Sequence, residues 1–261
     1  MKTVMIIPNI ITSFGLACGL FVIFRVNMAD ESTFALLRTM TFVLLLAAFA
    51  DVLDGAVARA MRGESEFGLA FDSLSDAISF GVAPSVLFLS SLTLNYQDVE
   101  AIFVLFATMI YTICGVLRLV RFNVNQAKDK EEKNKAFVGL PIPAAAMAFI
   151  SPNLLFHTPF FAERISLSME LRGWILAVIA IFLAYLMLSK IRFTSIKSFN
   201  FRLMSFETVF LGSLLVIFLL YGLIYNLSVL LLVVSWGYII ISLLSAPFKD
   251  KKLKKEKKLK K

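Results

Sequence analysis

The chain has 261 residues, of which 59% are hydrophobic and only 17% charged, with a net charge of +8 and a mean hydropathy of +0.84. This composition excludes an ordinary soluble domain and predicts an integral membrane protein. No β-barrel alternation is present, and the apolar runs approach or exceed the roughly 20 residues a helix needs to cross hydrocarbon, so the expected fold is all-α, a polytopic membrane helical bundle.

Hydropathy predicts about eight spans, at 10–26, 34–53, 70–94, 99–121, 138–156, 172–190, 206–224 and 228–246. The first segment contains Pro8 and Asn9 and has no small-residue cleavage site, so it reads as a retained helix and not a signal peptide. Cys18 and Cys114 lie in separate apolar segments without CxxC or Cys/His spacing, which makes them packing residues. Arg59 and Arg62, the stretch from Arg121 to Lys135, the stretch from Lys190 to Arg202 and the terminal lysines fall on one side of this topology. That side is the cytoplasmic one by the positive-inside rule, so both termini face the cytoplasm. The connections from Asn95 to Glu100 and from Tyr225 to Ser228 are poor in basic residues. His157, the only histidine, falls in a polar connection beside Pro159 and is expected to be solvated, without a catalytic role.

Residues 1–247 read as one membrane domain and 248–261 as a cytoplasmic tail. Nine lysines between Lys249 and Lys261, set against Asp250 and Glu256, leave the tail too polar to fold alone, so it is expected to be disordered. It fits either attraction to anionic lipid, at roughly 1 kcal/mol per charge near the surface, or a plain topogenic signal. No stacking aromatics accompany the charge, so nucleic acid is not an expected partner.

The chemistry concentrates between the second and third spans. Asp51, Asp54, Gly55, Ala58, Arg59, Gly68, Asp72 and Asp76 form the pattern D-x2-D-G-x2-A-R-x8-G-x3-D-x3-D. An ionised side chain near hydrocarbon costs at least ~2.5–3.5 kcal/mol on insertion scales, so four clustered aspartates call for a cation, a water-filled cavity, or both. Asp51, Asp54 and Ala58 are spaced i, i+3, i+7, and Gly68, Asp72 and Asp76 i, i+4, i+8, so each set shares a helix face. Two short-linked antiparallel helices then present all four carboxylates to one cavity at the cytoplasmic end of the bundle. Oxygen ligands without His or Cys favour a hard divalent cation such as Mg2+ or Mn2+. Two such ions about 3.5–4 Å apart can clamp a pyrophosphate, which makes phosphoryl-group transfer the natural reaction class. Gly55 and Ala58 remove bulk where a nucleotide can approach, or alternatively allow close helix packing, and Arg59 can hold a phosphate or orient a carboxylate.

The whole string from Asp51 to Asp76 resembles the signature of the CDP-alcohol phosphatidyltransferase family at all eight defined positions. The resemblance implies transfer of a phosphatidyl group from CDP-diacylglycerol to an acceptor hydroxyl, with release of CMP. It also implies that Asp51, Asp54 and Asp72 bind a dinuclear metal centre, with Asp76 completing it and serving as the base. Gly55, Ala58, Arg59 and Gly68, with Asp51, would form the cytidine and phosphate pocket, and the protein would be a homodimer. Three further stretches resemble the serine-accepting branch of that family. They are I-P-N-I-I-T-S-F-G-L-A-C-G-L from Ile7 to Leu20, F-D-S-L-S-D-A-I-S-F-G-V-A-P from Phe71 to Pro84, and R-L-V-R-F-N from Arg118 to Asn123 with G-L-P-I-P-A-A-A from Gly139 to Ala146.

An L-serine acceptor carries a carboxylate that needs a cation. Arg118 and Arg121, at i, i+3 near the end of the fourth span, can supply one, with Asn123 adding a polar contact, although ordinary interfacial snorkelling explains the same arginines. Glycerol 3-phosphate or inositol phosphate would also want arginines, so charge alone leaves the acceptor open. A divalent-cation transporter would use the four aspartates too, but gives no reason for Gly55, Ala58 and Arg59 at fixed spacing.

Overall fold

The computed structural model describes residues 6–61, 65–92, 99–128, 139–165, 167–191, 193 and 219–259. Among the described residues every regular element is helical. In chain order they are α1 (Ile6–Asn27), α2 (Phe34–Ala60), α3 (Glu66–Asp76), a π turn (Ala77–Val82), α4 (Ala83–Ser90), α5 (Val99–Lys128), α6 (Ile142–Phe156), α7 (Pro159–Arg164), α8 (Met169–Leu188) and α9 (Leu227–Leu259). Residues 219–225 are also helical. α3, the π turn and α4 follow one another without a break and together make the third span, Glu66–Ser90.

Six helical segments among the described residues are long and apolar enough to cross a membrane: Ile6–Asn27, Phe34–Ala60, Glu66–Ser90, Val99–Val124, Met169–Leu188 and Leu227–Ala246. The eight expected spans differ from this in two places. The fifth, expected at 138–156, is the 15-residue α6, which at 1.5 Å per residue reaches about 22 Å against a hydrocarbon layer of about 30 Å. The chain turns at Gly139, whose φ is +88°, and Pro141 and Pro143 bracket the first helical residue, so the helix begins late. The seventh, expected at 206–224, lies largely outside the described residues.

α6 is short because it is interior. Almost all of its side chains from Ile142 to Leu154 are buried, and it packs against α8, α9, α2, α4 and the π turn. Ala145, Ala146 and Ala148 allow that close approach. Polar bonds join it to α9, where Trp236 Nε1 donates to the Ala148 carbonyl at 3.1 Å and Ser151 Oγ lies 3.3 Å from Ser235 Oγ. His157 does not stand free in a polar loop as expected. It closes α6 half-buried, with Nδ1 2.9 Å from the Asn153 carbonyl and Nε2 3.2 Å from the Ser91 carbonyl, because the helix end needs partners for its last carbonyls.

Around this axis α1 packs along α2, and α5 along α8. Their outward faces carry large exposed apolar residues, such as Phe14, Phe21 and Phe24 on α1, Phe42 and Phe49 on α2, and Ile102, Phe106, Ile113 and Val120 on α5. A continuous apolar exterior of this kind is suited to lipid and not to water. Cys18 and Cys114 are free thiols set in the packing, as expected. The lysine-rich segment, expected to be disordered, continues α9 as helix to Leu259. Lys, Leu and Glu are all strong helix formers, and an existing helix propagates without a new nucleus.

Candidate active site

Four elements bring their ends together at one end of the bundle: the start of α1, the end of α2, the start of α3 and the end of α5. α3 opens with Ser65, whose hydroxyl accepts from the Gly68 N–H at 2.9 Å as an N-cap. A Cβ at Gly68 would stand 3.0 Å from Ser65 Oγ and 3.2 Å from Asn9 Oδ1, so a side chain here would press on the N-cap and on α1. Further along, Ser75 Oγ donates to the Thr12 carbonyl at 3.3 Å and Ser79 Oγ to the Gly15 carbonyl at 3.2 Å. These bonds lock α3 and the π turn to α1 and fix the direction of the aspartates between them.

Asp51, Asp72 and Asp76 each bring a carboxylate oxygen within 4.8 Å of the other two. Asp54 is buried, walls the same recess, and accepts a 2.6 Å hydrogen bond from Thr12 Oγ1. All four expected acids therefore converge, with three of them in mutual ligand range and the fourth held beside them by α1. Two cavities meet at this point and share Thr12, Asp54 and Asp72 as walls. The inner one, about 10 Å³, is lined by the four aspartates with Ser75 and Ser79 among others, room for about one water-sized species. The outer one, about 90 Å³, is lined by Asn9, Gly55, Ala58, Ser65 and Gly68 among others.

Gly55, Ala58 and Gly68 line the outer cavity. Arg59 is exposed and folds back over Gly55, where a Cβ would lie 3.2 Å from Nη1, and its charge acts on Asp54. Asn9 and Thr12 stand outside the eight-position pattern yet wall the site, Asn9 the outer cavity and Thr12 both. Their signal was the I-P-N-I-I-T stretch, which puts both on one helix face at i, i+3.

The three residues expected near the acceptor divide. Arg118 is 7% exposed, its charge acts on Asp76 and Asp51, and its Nε has no hydrogen-bond partner. Arg121 donates from Nη1 to the Leu188 carbonyl at 2.8 Å and from Nη2 to the Met187 carbonyl at 3.3 Å, so it caps the end of α8. Gly139 fits beneath it; a Cβ there would meet Met187 O at 2.3 Å and Arg121 Nη2 at 2.9 Å. Asn123 Nδ2 donates to Ser73 Oγ at 2.8 Å, tying α5 to α3 beside Asp72.

The residues present fit a hard divalent ion. Their donors are carboxylate oxygens, and two unit charges about 4 Å apart repel by about 4 kcal/mol at an effective dielectric of about 20, which a bridging cation reverses. Fold and site together define a polytopic membrane protein with a carboxylate centre beside a cavity floored by small residues. The chain belongs to the CDP-alcohol phosphatidyltransferase family, whose profile matches residues 5–188. It is 32% identical over 206 residues to a CDP-diacylglycerol--serine O-phosphatidyltransferase of Helicobacter pylori strain J99, covering 77% of each chain. It is 32% identical over 191 residues to the protein of that name from Bacillus subtilis strain 168, covering 73% of this chain and 91% of the relative. A relative of the same name from Methanocaldococcus jannaschii is 39% identical over 115 residues, 44% of this chain and 50% of its own.

Proposed function

We propose that this protein is a phosphatidylserine synthase, transferring the phosphatidyl group of CDP-diacylglycerol to the hydroxyl of L-serine and releasing CMP. The observation that carries it is the convergence of Asp51, Asp72 and Asp76 within 4.8 Å at the inner end of a cavity lined by Gly55, Ala58 and Gly68. The names of the relatives support serine as the acceptor.

In this reading Asp51, Asp54, Asp72 and Asp76 hold one or two Mg2+ or Mn2+ ions, which when bound supply charge neutralisation to the pyrophosphate. The cytidine end of the substrate lies in the outer cavity against Gly55, Ala58 and Gly68, where side chains would obstruct it, and Arg59 holds a phosphate at its rim. The acyl chains stay in the bilayer, because the exposed residues flanking the site, Val52, Phe67 and Leu74, are apolar. Asp76 takes the proton from the serine hydroxyl as the new oxygen–phosphorus bond forms and the phosphorus–oxygen bond to CMP breaks. Direct attack accounts for the chemistry, since among the described residues the cluster is made of aspartates without a Ser–His or Cys–His pair. Arg118 receives the serine carboxylate, with its buried guanidinium facing the acids from α5 and one donor unused.

The reading places the site on the cytoplasmic side, on the count of Arg and Lys in the connections at that end, and carries a homodimer from the family resemblance. Mass measurement of the detergent-solubilised protein tests the second point. The function itself is tested with purified protein, CDP-diacylglycerol and a panel of acceptors scored for CMP. L-serine should release it fastest; faster release with glycerol 3-phosphate or inositol phosphate would assign another acceptor.

A further inference from the structure

The π turn that follows Asp76 has a cause and a keeper. In a regular α-helix the Phe80 carbonyl would accept from the N–H of residue 84. Residue 84 is proline, which has no N–H and whose ring presses on that carbonyl. The ladder widens instead, so that the Ala83 N–H reaches back to the Ile78 carbonyl. The Phe80 carbonyl is taken from outside the helix by the hydroxyl of Tyr111 at 3.0 Å. Its neighbour, the Gly81 carbonyl, accepts from Thr112 Oγ1 at 3.3 Å and from Ser85 Oγ at 2.9 Å. Tyr111 is wholly buried, so without this bond the carbonyl would have no water to turn to.

Asp76 is the last residue before the turn. Ser75 and Ser79 tie this segment to α1, while Tyr111 ties its far side to α5. Tyr111 and Arg118 are seven residues apart, two turns along one face of α5. That face therefore meets the π turn through one residue and the acids through the other.

We propose that Tyr111 is a positioning residue for Asp76: by accepting the role of the donor that Pro84 lacks, its hydroxyl holds the π turn and so the direction of Asp76 toward Asp51 and Asp72. The proposal rests on the reading of these acids as the metal-binding reaction centre. Tyr111→Phe removes only the hydroxyl and keeps the ring packed 4.7 Å from Phe149, centroid to centroid. Mn2+ binding to the purified protein, followed by the loss of the free-ion magnetic resonance signal, should weaken by about fivefold, and kcat for CMP release should fall by about tenfold with KM for CDP-diacylglycerol within about twofold. Trp236→Phe removes a part-buried bond of similar length, 3.1 Å to the Ala148 carbonyl, and should change neither quantity. Pro84→Ala supplies an N–H at position 84, so Tyr111→Phe should do much less on that background. Should Tyr111→Phe alone fail to fold, rescue of folding by Pro84→Ala supports the proposal and failure of rescue overturns it. Unchanged Mn2+ binding and kcat in folded Tyr111→Phe, or equal losses in Trp236→Phe, overturn it as well. A parent protein that binds no Mn2+ would overturn the reading of the acid centre itself, and the role of Tyr111 with it.

Discussion

Thr12 Oγ1 stands 2.6 Å from Asp54 Oδ2, joining the first turns of α1 to the acid-bearing end of α2 across 42 residues of chain. The same hydroxyl is 3.0 Å from the Pro8 carbonyl of its own helix, but a charged acceptor makes the stronger bond. Because Asp54 is buried, this contact fixes its carboxylate between the inner and outer cavities. Thr12→Val keeps the shape and removes the donor. CMP release should fall by about tenfold, with a loss of about 1–3 kcal/mol in stability from a buried carboxylate stripped of one partner. Thermal denaturation and kinetics on one preparation check this, and parental values for both would show that the bond does nothing.

A metal held by these carboxylates, as proposed, predicts a dependence that solvated acids would not show. Activity should vanish in EDTA and return with Mg2+ or Mn2+. Asp51→Asn and Asp72→Asn should each reduce turnover by about 100-fold or more while the protein inserts and purifies normally. Full turnover in metal-free enzyme would contradict the assignment.

The two arginines of α5 should separate. Arg118→Ala should raise KM for serine more than KM for CDP-diacylglycerol. Arg121→Ala should instead lower thermal stability, because it uncaps the Leu188 and Met187 carbonyls that end α8. Identical kinetic defects in both variants would show that the capping contact does not distinguish them.

Helix approach gives a prediction that needs no chemistry. A Cβ at Gly19 would stand 2.5 Å from Ser79 Oγ and 2.8 Å from Ser79 Cα, whereas one at Gly237 meets nothing within 4 Å. Gly19→Ala should destabilise by about 1–3 kcal/mol and depress activity by displacing the π turn, while Gly237→Ala stays neutral or stabilises. Equal melting temperatures for the two variants would contradict the close packing.

What the sequence makes legible follows from periodicity. The i, i+3 and i, i+4 spacings from Asp51 to Asp76 are local, so the shared faces, and with them the meeting of four acids, can be read directly. The Tyr111–Phe80 bond pairs residues 31 apart, and nothing in either neighbourhood names the other. The π turn had a visible cause in Pro84, yet a proline inside an apolar run is equally compatible with a kink, and only the donor on α5 decides between them. Hydropathy predicts a full span at α6 because it registers burial in protein and burial in lipid alike. The roles of Arg118 and Arg121 were inseparable for a related reason: both sit near a helix end, and only the carbonyls of α8 distinguish a cap from a site residue.

The central claim is serine phosphatidyl transfer at the aspartate cluster, and its most direct measurement follows labelled L-serine and CMP together. Purified enzyme given CDP-diacylglycerol and Mn2+ or Mg2+ should place one serine in lipid for each CMP released. Asp76→Asn should still bind CDP-diacylglycerol while both products fall together by about 100-fold or more. CMP release without serine in the lipid, or Asp76→Asn turning over within a few-fold of the parent, would contradict the account.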